Sequence, residues 1–101
     1  MNKQQIKTLL PPFLRKHGVV RASLFGSIVR GEATEQSDVD ILVEFEDGKT
    51  LLDLVGLKLD LEETLHKNVD IVTYDSLHPR LRSLVLQEQE IVYETAPAGI
   101  S

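Results

Sequence analysis

Two short polar motifs lie close together in the first half of the chain. Gly26-Ser27 is followed, after ten intervening residues, by Asp38-Val39-Asp40. The surrounding pattern predicts a strand, a tight turn into a short helix, a polar loop, and a second strand that starts with the two acids. A turn that opens a helix can bind phosphate, and carboxylates two residues apart on a strand can share Mg²⁺ on one face. Together the motifs indicate a site for a metal-bound nucleoside triphosphate.

Nucleotidyl transfer to a hydroxyl would need a further carboxylate beside this pair. Two Mg²⁺ ions about 4 Å apart can neutralise a triphosphate and help to deprotonate the attacking oxygen, and about three converging carboxylates would hold them. Asp70 suits this requirement because Val69 and Ile71 alternate away from it on the next predicted strand. A lone Asp at a strand start is more often solvated or a cap, so the residues alone leave both interpretations open.

The residues near the turn also have simpler interpretations. Gly26 would let the backbone approach phosphates, and Ser27 would supply a hydroxyl and a helix-start N–H. Taken alone, the pair is equally an ordinary strand-to-helix turn with an N-cap serine. Arg30 lies one turn beyond Ser27 and is predicted to contact the triphosphate, to hold the loop before Asp38, or to be an exposed surface arginine. Ser37 is interpreted as a turn residue rather than a ligand.

The spacing resembles the nucleotidyltransferase signature, in which Gly-Ser is followed after about ten residues by Asp-x-Asp. The short chain and the run Gly-Ser-x-x-Arg-Gly-Glu-Ala at residues 26–33 look most like the minimal nucleotidyltransferase (MNT) proteins. These form the smallest branch of the DNA polymerase beta-like superfamily. The resemblance covers roughly residues 18–93, nearly the whole chain, and is therefore more specific than a short motif match.

The resemblance implies an Mg²⁺-dependent enzyme that uses ATP, with two metal ions expected. The implied catalytic and metal-binding residues are Asp38, Asp40 and Asp70. The implied nucleotide-binding residues are Gly26, Ser27 and Arg30. MNT proteins are usually antitoxins, so the implied reaction is transfer of AMP to a tyrosine of a cognate HEPN-domain toxin, which neutralises that toxin. Asp70 would help to remove the proton from the attacking hydroxyl.

Two other functions stay open. The chain could be a non-catalytic antitoxin that neutralises its partner by complex formation, with nucleotide binding vestigial or regulatory. The intact set of Ser27 and the three acids argues against this, because a lost enzyme has no chemical need for converging carboxylates. Transfer to a small molecule of the aminoglycoside type lacks a visible binding domain in a chain of 101 residues.

Size and composition favour one small domain, at residues 1–94, followed by a mobile tail at residues 95–101. The chain has no cysteine and no apolar run long enough for a signal peptide or membrane span, so a cytoplasmic location without membrane contact is expected. The net charge is −5 and the 11 basic residues are scattered, which disfavours direct nucleic-acid binding and suits a basic protein partner.

The hydrophobic pattern predicts an α/β fold. The expected architecture is a small mixed β-sheet with helices packed on one face and the active site on the other, as in the polymerase beta-like nucleotidyltransferase fold that the resemblance implies. The predicted helices are residues 2–17, a short helix from residue 27, residues 51 to about 67, and residues 79–88. The predicted strands are residues 19–25, 38–45 and 69–73, with a short edge strand at residues 91–93.

Details of packing follow from the same pattern. Pro11 and Pro12 are predicted to kink the first helix or to divide it in two. The inward face of the first strand is predicted to be Val20, Ala22 and Leu24. The inward face of the last helix is predicted to be Leu81, Leu84 and Val85. The histidines, too scattered for a zinc motif, are interpreted as surface or capping residues: His17, His66 and His78.

The third helix is apolar around more of its circumference than a one-sided helix needs. One stripe, which must face the sheet, comprises Leu54, Leu57, Leu61 and Leu65. A second group, here called the outer stripe, comprises Leu52, Val55 and Leu59. The outer stripe is expected to be exposed and to bind a partner chain or a second copy of this one. The alternative is burial under the N-terminal helix and the tail.

Overall fold

The computed structural model describes residues 2–95 as a sheet of four strands with helices. The helices are α1 (Lys3–Lys16), α2 (Ser27–Arg30), α3 (Leu51–Leu65) and α4 (Pro79–Glu88). The strands are β1 (Val19–Phe25), β2 (Val39–Phe45), β3 (Val69–Thr73) and β4 (Glu90–Glu94), with a 3₁₀ turn at Tyr74–Ser76 after β3. Of the expected tail, only Thr95 lies within the described residues, and its N–H bonds to the carbonyl of Val20 at 2.9 Å.

The sheet is mixed, with the strand order β3-β2-β1-β4. Strand β1 pairs antiparallel with both β2 and β4, whereas β2 and β3 are parallel. A parallel pair needs a crossover connection, and α3 provides it between β2 and β3. The predicted mixed sheet and the predicted edge strand are both confirmed.

One face of the sheet packs against α1 and α3 to form the hydrophobic core. The strands contribute alternate residues to it, among them Ala22, Leu24, Ile41 and Val43. The helices contribute Ile6, Leu10, Leu14, Leu57, Leu61 and Leu65. Within residues 2–95, no helix has the length and apolar content that crossing a membrane requires.

Short polar motifs set the ends of the long helices. Thr50 and Asp53 form a reciprocal capping box at the start of α3, as their spacing predicts. His66 ends α3 in the left-handed conformation, and the ring of His78 accepts a hydrogen bond at the start of α4. His17 is half-buried between α1 and α3, where it bonds to Asp60 at 2.6 Å. The three histidines are therefore capping or packing residues, and the described part of the chain contains no zinc motif around them.

The prediction that Pro11 and Pro12 could divide the first helix is wrong. Helix α1 is continuous from Lys3 to Lys16, with both prolines inside it. Each proline removes one backbone hydrogen bond. Ile6 before the prolines and Leu14 after them are buried in the same core, which holds the two halves in one helix.

The predicted inward face of β1 also needs correction. Val19, not Val20, is the residue that joins Ala22 and Leu24 in the core, and it is 2% exposed. The register with β2 shifts between Val19 and Arg21. Such a bulge interrupts the strict alternation of side chains, so a count of two residues from Ala22 identifies the wrong valine.

The prediction that Leu81 and Leu84 face inward is wrong. They are 54% and 64% exposed, and no residue of α4 is fully buried, although Val85 is half-buried. Helices α1 and α3 already cover the apolar face of the sheet. Helix α4 instead borders the opposite face, where Arg82 lines a cavity together with Arg21 of β1.

Candidate functional site

Three acidic residues lie near one another at one edge of the sheet, on the face opposite the core. Asp40 of β2 and Asp70 of β3 are register partners on adjacent parallel strands. Asp38 precedes β2 and lies on the same side as Asp40, since side chains alternate along a strand. Asp40 is half-buried, whereas Asp38 and Asp70 are exposed. The structure thus brings together the acids that the sequence predicts.

Asp40 is a half-buried carboxylate with two acidic neighbours. Burial, followed by the charges of Asp70 and Asp38, raises the pKa of Asp40 from 3.8 to about 6. A carboxylate between two others is expected to resist ionisation in this way. A cation bound beside Asp40 would favour the ionised carboxylate and so lower this pKa again.

The donor set fits Mg²⁺ by its chemistry, although the side chains do not form a closed cluster. Among residues 2–95, no three His, Cys, Asp or Glu side chains are gathered closely enough to hold an ion as they stand. Carboxylate oxygens are the protein ligands that Mg²⁺ prefers. Burial is the main cause of the raised pKa of Asp40, and the charges of Asp70 and Asp38 add to it, so a cation bound beside Asp40 would offset this charge repulsion.

The Gly26 turn lies directly against Asp40. Phe25, the last residue of β1, is the register partner of Asp40, and the chain turns at the next residue. Gly26 is buried with φ 78° and ψ −152°, a conformation that is essentially restricted to glycine. A Cβ at this position would collide with Asp40 Oδ2. The glycine is therefore required both by the backbone conformation and by the carboxylate beside it.

Helix α2 is a single short turn, as predicted. It runs from Ser27 to Arg30 and is capped by Gly31, which is left-handed at φ 76°. The carbonyl of Gly26 accepts hydrogen bonds from the N–H groups of Val29 and Arg30. Ser27 is half-exposed, and within the described residues its hydroxyl makes no hydrogen bond that would hinder contact with a ligand.

Arg30 is held by two carboxylates. Its Nε donates to Glu32 at 2.7 Å, and its Nη1 donates to both oxygens of Glu88, at 3.0 and 2.9 Å. Glu88 Oε1 also accepts a hydrogen bond from the backbone N–H of Gly26 at 2.6 Å. These bonds from Arg30 and Gly26 lower the pKa of Glu88. Glu32 belongs to the polar loop before Asp38, so Arg30 contacts that loop.

The structure adds residues that sequence reasoning missed. Glu88 is one, and Lys67 is another, since its Nζ donates to the carbonyls of Thr34 and Glu35 in the loop before Asp38. Ser37 accepts from the N–H of Thr34 at 2.9 Å, which matches its interpretation as a turn residue. No sequence signal marks Glu88 or Lys67, because their partners are far away along the chain.

A polar network continues the site face toward α4. Ser23 is fully buried and bonds to Tyr74 Oη at 2.9 Å, and Tyr74 Oη in turn bonds to Gln89 at 3.1 Å. The guanidinium of Arg21 stacks 4.3 Å from the centre of the Tyr74 ring. A cavity of about 790 Å³ extends from these residues to Arg82 on α4. Open space therefore lies on the same face as the acids.

Comparison with known proteins finds one family model that matches most of the chain. The nucleotidyltransferase domain model matches residues 6–92. A relative from Methanocaldococcus jannaschii, named as a protein adenylyltransferase, is 58% identical over 88 residues. The alignment covers 87% of this chain and 95% of that relative.

Solved structures agree with the sequence match. A structure described as a minimal nucleotidyltransferase has a TM-score of 0.79 and 46% identity, and the match covers 89% of this chain and 95% of the other. A toxin–antitoxin structure with AMP-PNP has a TM-score of 0.76 and 25% identity, and the match covers 88% of this chain and 73% of the other.

Proposed function

Because this chain belongs to the nucleotidyltransferase domain family, as a minimal nucleotidyltransferase of the protein adenylyltransferase kind, we propose that it is the antitoxin of a toxin–antitoxin pair and transfers AMP from ATP to a tyrosine of a HEPN-domain toxin. The observation that carries the proposal is the contact of the Gly26 turn with Asp40, whose register partner is Asp70. A phosphate-binding turn and acids on adjoining strands are the parts that nucleotidyl transfer requires.

Each residue has a role in the proposed reaction. Ser27 and Arg30 bind the triphosphate, and Gly26, which has no side chain, lets the backbone approach it. Asp38 and Asp40 are the primary ligands of Mg²⁺, which when bound would neutralise the triphosphate and favour ionisation of the attacking hydroxyl. Asp70 completes the metal site and takes the tyrosine proton. The tyrosine oxygen then forms a bond to the α-phosphorus as the bond to pyrophosphate breaks.

The partner and the nucleotide are proposed from the relatives and from the surface of this chain. A toxin–antitoxin complex with an ATP analogue is among the solved structures of similar fold. On this chain the outer stripe is exposed, as predicted, with Leu52 at 81% and Leu59 at 60%. Exposed apolar side chains on one helix face usually mark an interface. We assign the outer stripe to the toxin, with a second copy of the chain as the alternative partner, and propose that the pair acts in the cytoplasm.

Labelled ATP, Mg²⁺ and the protein encoded next to this chain provide the direct test. We expect the label to appear on a tyrosine of that protein and to require Mg²⁺. The double variant Asp38→Asn with Asp40→Asn should abolish labelling while its circular dichroism stays that of the wild type. Asp47→Asn, which changes an exposed acid in the turn after β2, is the matched control and should label normally.

The same assay separates the proposal from a non-catalytic antitoxin. If the toxin is still neutralised after Asp38, Asp40 and Asp70 are all replaced by Asn, complex formation alone is sufficient and the enzymatic mechanism is wrong. If label passes to an aminoglycoside but not to the protein, the acceptor is a small molecule. Equal labelling by the double variant and the wild type would contradict the assignment of the acids.

A further inference from the structure

We propose that Glu88 is a positioning residue of the nucleotide site, which holds the backbone of Gly26 and the guanidinium of Arg30 ready for the triphosphate. This inference rests on the proposed function. Glu88 lies at the end of α4, outside the motif that runs from Gly26 to Asp40. It reaches that motif only because the chain folds back through β3 and α4.

The carboxylate of Glu88 joins the Gly26 turn to Arg30, one of the proposed phosphate-binding residues. Its Oε1 accepts hydrogen bonds from the Gly26 N–H at 2.6 Å and from Arg30 Nη1 at 3.0 Å. Its Oε2 accepts a second bond from the same Nη1 at 2.9 Å. Hydrogen bonds to an ionised group are shorter and about twice as strong as neutral ones. One side chain therefore fixes the distance between the turn and the arginine.

Gly26 is constrained from two sides. Asp40 occupies the space where a Cβ would lie, and Glu88 binds the N–H. Glycine adopts many backbone conformations readily, so these two contacts, rather than the intrinsic preference of the residue, hold Gly26 in this one. Loss of Glu88 would remove one of the two constraints and let the turn move relative to the metal-binding acid.

One nitrogen of the Arg30 guanidinium stays available for a ligand while the other two are bonded to carboxylates. Its Nε is bonded to Glu32 and its Nη1 to Glu88, whereas Nη2 makes no hydrogen bond within residues 2–95. The guanidinium is a planar fork, so two anchored nitrogens fix the direction of the third. Arg30 can thus present Nη2 to a phosphate without giving up either partner.

In the opposite role, the carboxylate of Glu88 would compete with the triphosphate for Arg30. The contacts favour positioning, because the charge of Glu88 is already paired with Arg30. Its side chain is 27% exposed, so a phosphate that displaced it would leave a partly buried carboxylate without its partner. The two roles predict opposite changes in the affinity for ATP.

A purely structural role is the third possibility, since Glu88 also anchors α4. That role predicts a lower melting temperature with an unchanged KM for ATP. Positioning predicts a higher KM and a kcat that changes little, because Glu88 contacts none of the three acids. Competition predicts a lower KM.

The test compares Glu88→Ala and Glu88→Gln with Glu32→Gln and with one control variant, Glu90→Gln. Glu32→Gln removes the charge of the other Arg30 partner and leaves the Gly26 contact intact. Glu90→Gln changes an acid that is two residues away and pairs with Lys3 and Lys7 of α1. KM and kcat for Mg-ATP, the melting temperature and equilibrium binding of ATP are measured for each, together with the NMR signal of the Gly26 amide.

We expect Glu88→Ala to raise the KM for Mg-ATP about tenfold, as is typical for loss of a hydrogen bond to a charged group, with kcat within about twofold of the wild type. Glu88→Gln keeps an acceptor for Gly26 but loses the charge opposite Arg30, and should raise KM by about threefold. Glu90→Gln should keep KM within about twofold, whereas Glu32→Gln, which removes the charge at one anchor of Arg30, should raise KM by less than Glu88→Ala does. The Gly26 amide proton should move upfield most in Glu88→Ala, less in Glu88→Gln, and not in Glu90→Gln.

An unchanged or lower KM in the Glu88 variants would overturn the inference, as would an equal rise in Glu90→Gln. If Glu88→Ala fails to fold, the KM of Glu88→Gln decides the question by itself. If the wild type transfers no AMP, the proposed function fails, and ATP binding with the Gly26 amide signal still tests the role of Glu88. Weaker ATP binding in the Glu88 variants would then support positioning, and equal binding would contradict it.

Discussion

Asp40 and Asp70 are register partners across two parallel strands, so the protein keeps two carboxylates side by side at one edge of its sheet. Adjacent strands are about 4.8 Å apart, which brings such partners within reach of one cation. Burial and the neighbouring charges raise the pKa of Asp40 to about 6. The arrangement is electrostatically unfavourable in the metal-free protein and favourable once a cation is bound.

The first prediction concerns the stability of the metal-free protein. Since the pKa of Asp40 rises from 3.8 to about 6 on folding, the folded state binds this proton more tightly than the unfolded state. Stability is therefore lost as the pH rises from about 4, where Asp40 ionises in the unfolded chain, to about 6, where it ionises in the folded protein. Asp40→Asn removes that penalty and should raise the melting temperature in EDTA at pH 7.5, by an amount that shrinks toward pH 4.

Asp47→Asn is the control for this measurement, because it removes one exposed acid from the turn after β2. It should leave the melting temperature almost unchanged at both pH values. Mg²⁺ with ATP should stabilise the wild type by mass action and stabilise Asp40→Asn much less. Equal melting temperatures of Asp40→Asn and wild type in EDTA at pH 7.5 would show that the carboxylates do not strain the fold.

The second prediction is that Asp70 affects the rate of AMP transfer more than the affinity for Mg-ATP. Asp70→Asn should bind Mg-ATP almost as well as the wild type, because Ser27, the turn and the metal held by the other acids dominate binding. Its kcat should fall by roughly 10²-fold or more, as expected for loss of a proton acceptor. Single-turnover rates and equilibrium binding measure the two effects. Asp75→Asn, an exposed acid in the 3₁₀ turn, is the control, and turnover of Asp70→Asn near that of the control would make Asp70 a structural residue.

The third prediction concerns the Gly26 turn. Gly26→Ala inserts a methyl group against Asp40 Oδ2 and forces a residue with a Cβ into φ 78°. The expected result is a loss of about 1–3 kcal/mol in unfolding free energy and much weaker ATP binding. Urea unfolding and equilibrium binding measure both.

Gly48→Ala is a matched control for the backbone cost. Gly48 has φ 89°, and a Cβ there would meet no atom within 4 Å. It should therefore show only the conformational cost, with ATP binding unchanged. If the two alanine variants lose the same stability and both bind ATP normally, the contact between Gly26 and Asp40 has no functional role.

The fourth prediction concerns the outer stripe. Leu52→Lys with Leu59→Lys should abolish association with the toxin, because two charges would enter an apolar interface. The unfolding free energy should change by no more than about 0.5 kcal/mol, as is usual for exposed positions. Leu81→Lys with Leu84→Lys is the control, since these α4 residues are also exposed. If the α4 variant is the one that loses association, the interface lies on α4.

The sequence by itself determined the features that depend on residues close together in the chain. Strand alternation predicts that Asp38 and Asp40 share a face, and the capping box at Thr50 predicts the start of α3. The Gly-Ser turn, the short α2 and the outer stripe follow from spacing in the same way. The order of the elements along the chain was also predictable, because each element is set mainly by its local hydrophobic period.

The tertiary structure decided what depends on contacts between distant segments. Only the core shared by both halves of α1 explains why the prolines do not divide it, and only the pairing of β1 with β2 reveals the bulge that buries Val19. The exposure of α4 depends on which face of the sheet other helices cover first. Glu88 meets Gly26 across 62 positions of the chain, a contact that no local pattern encodes. The raised pKa of Asp40 has the same origin, since burial and the charge of a neighbouring strand exist only after folding.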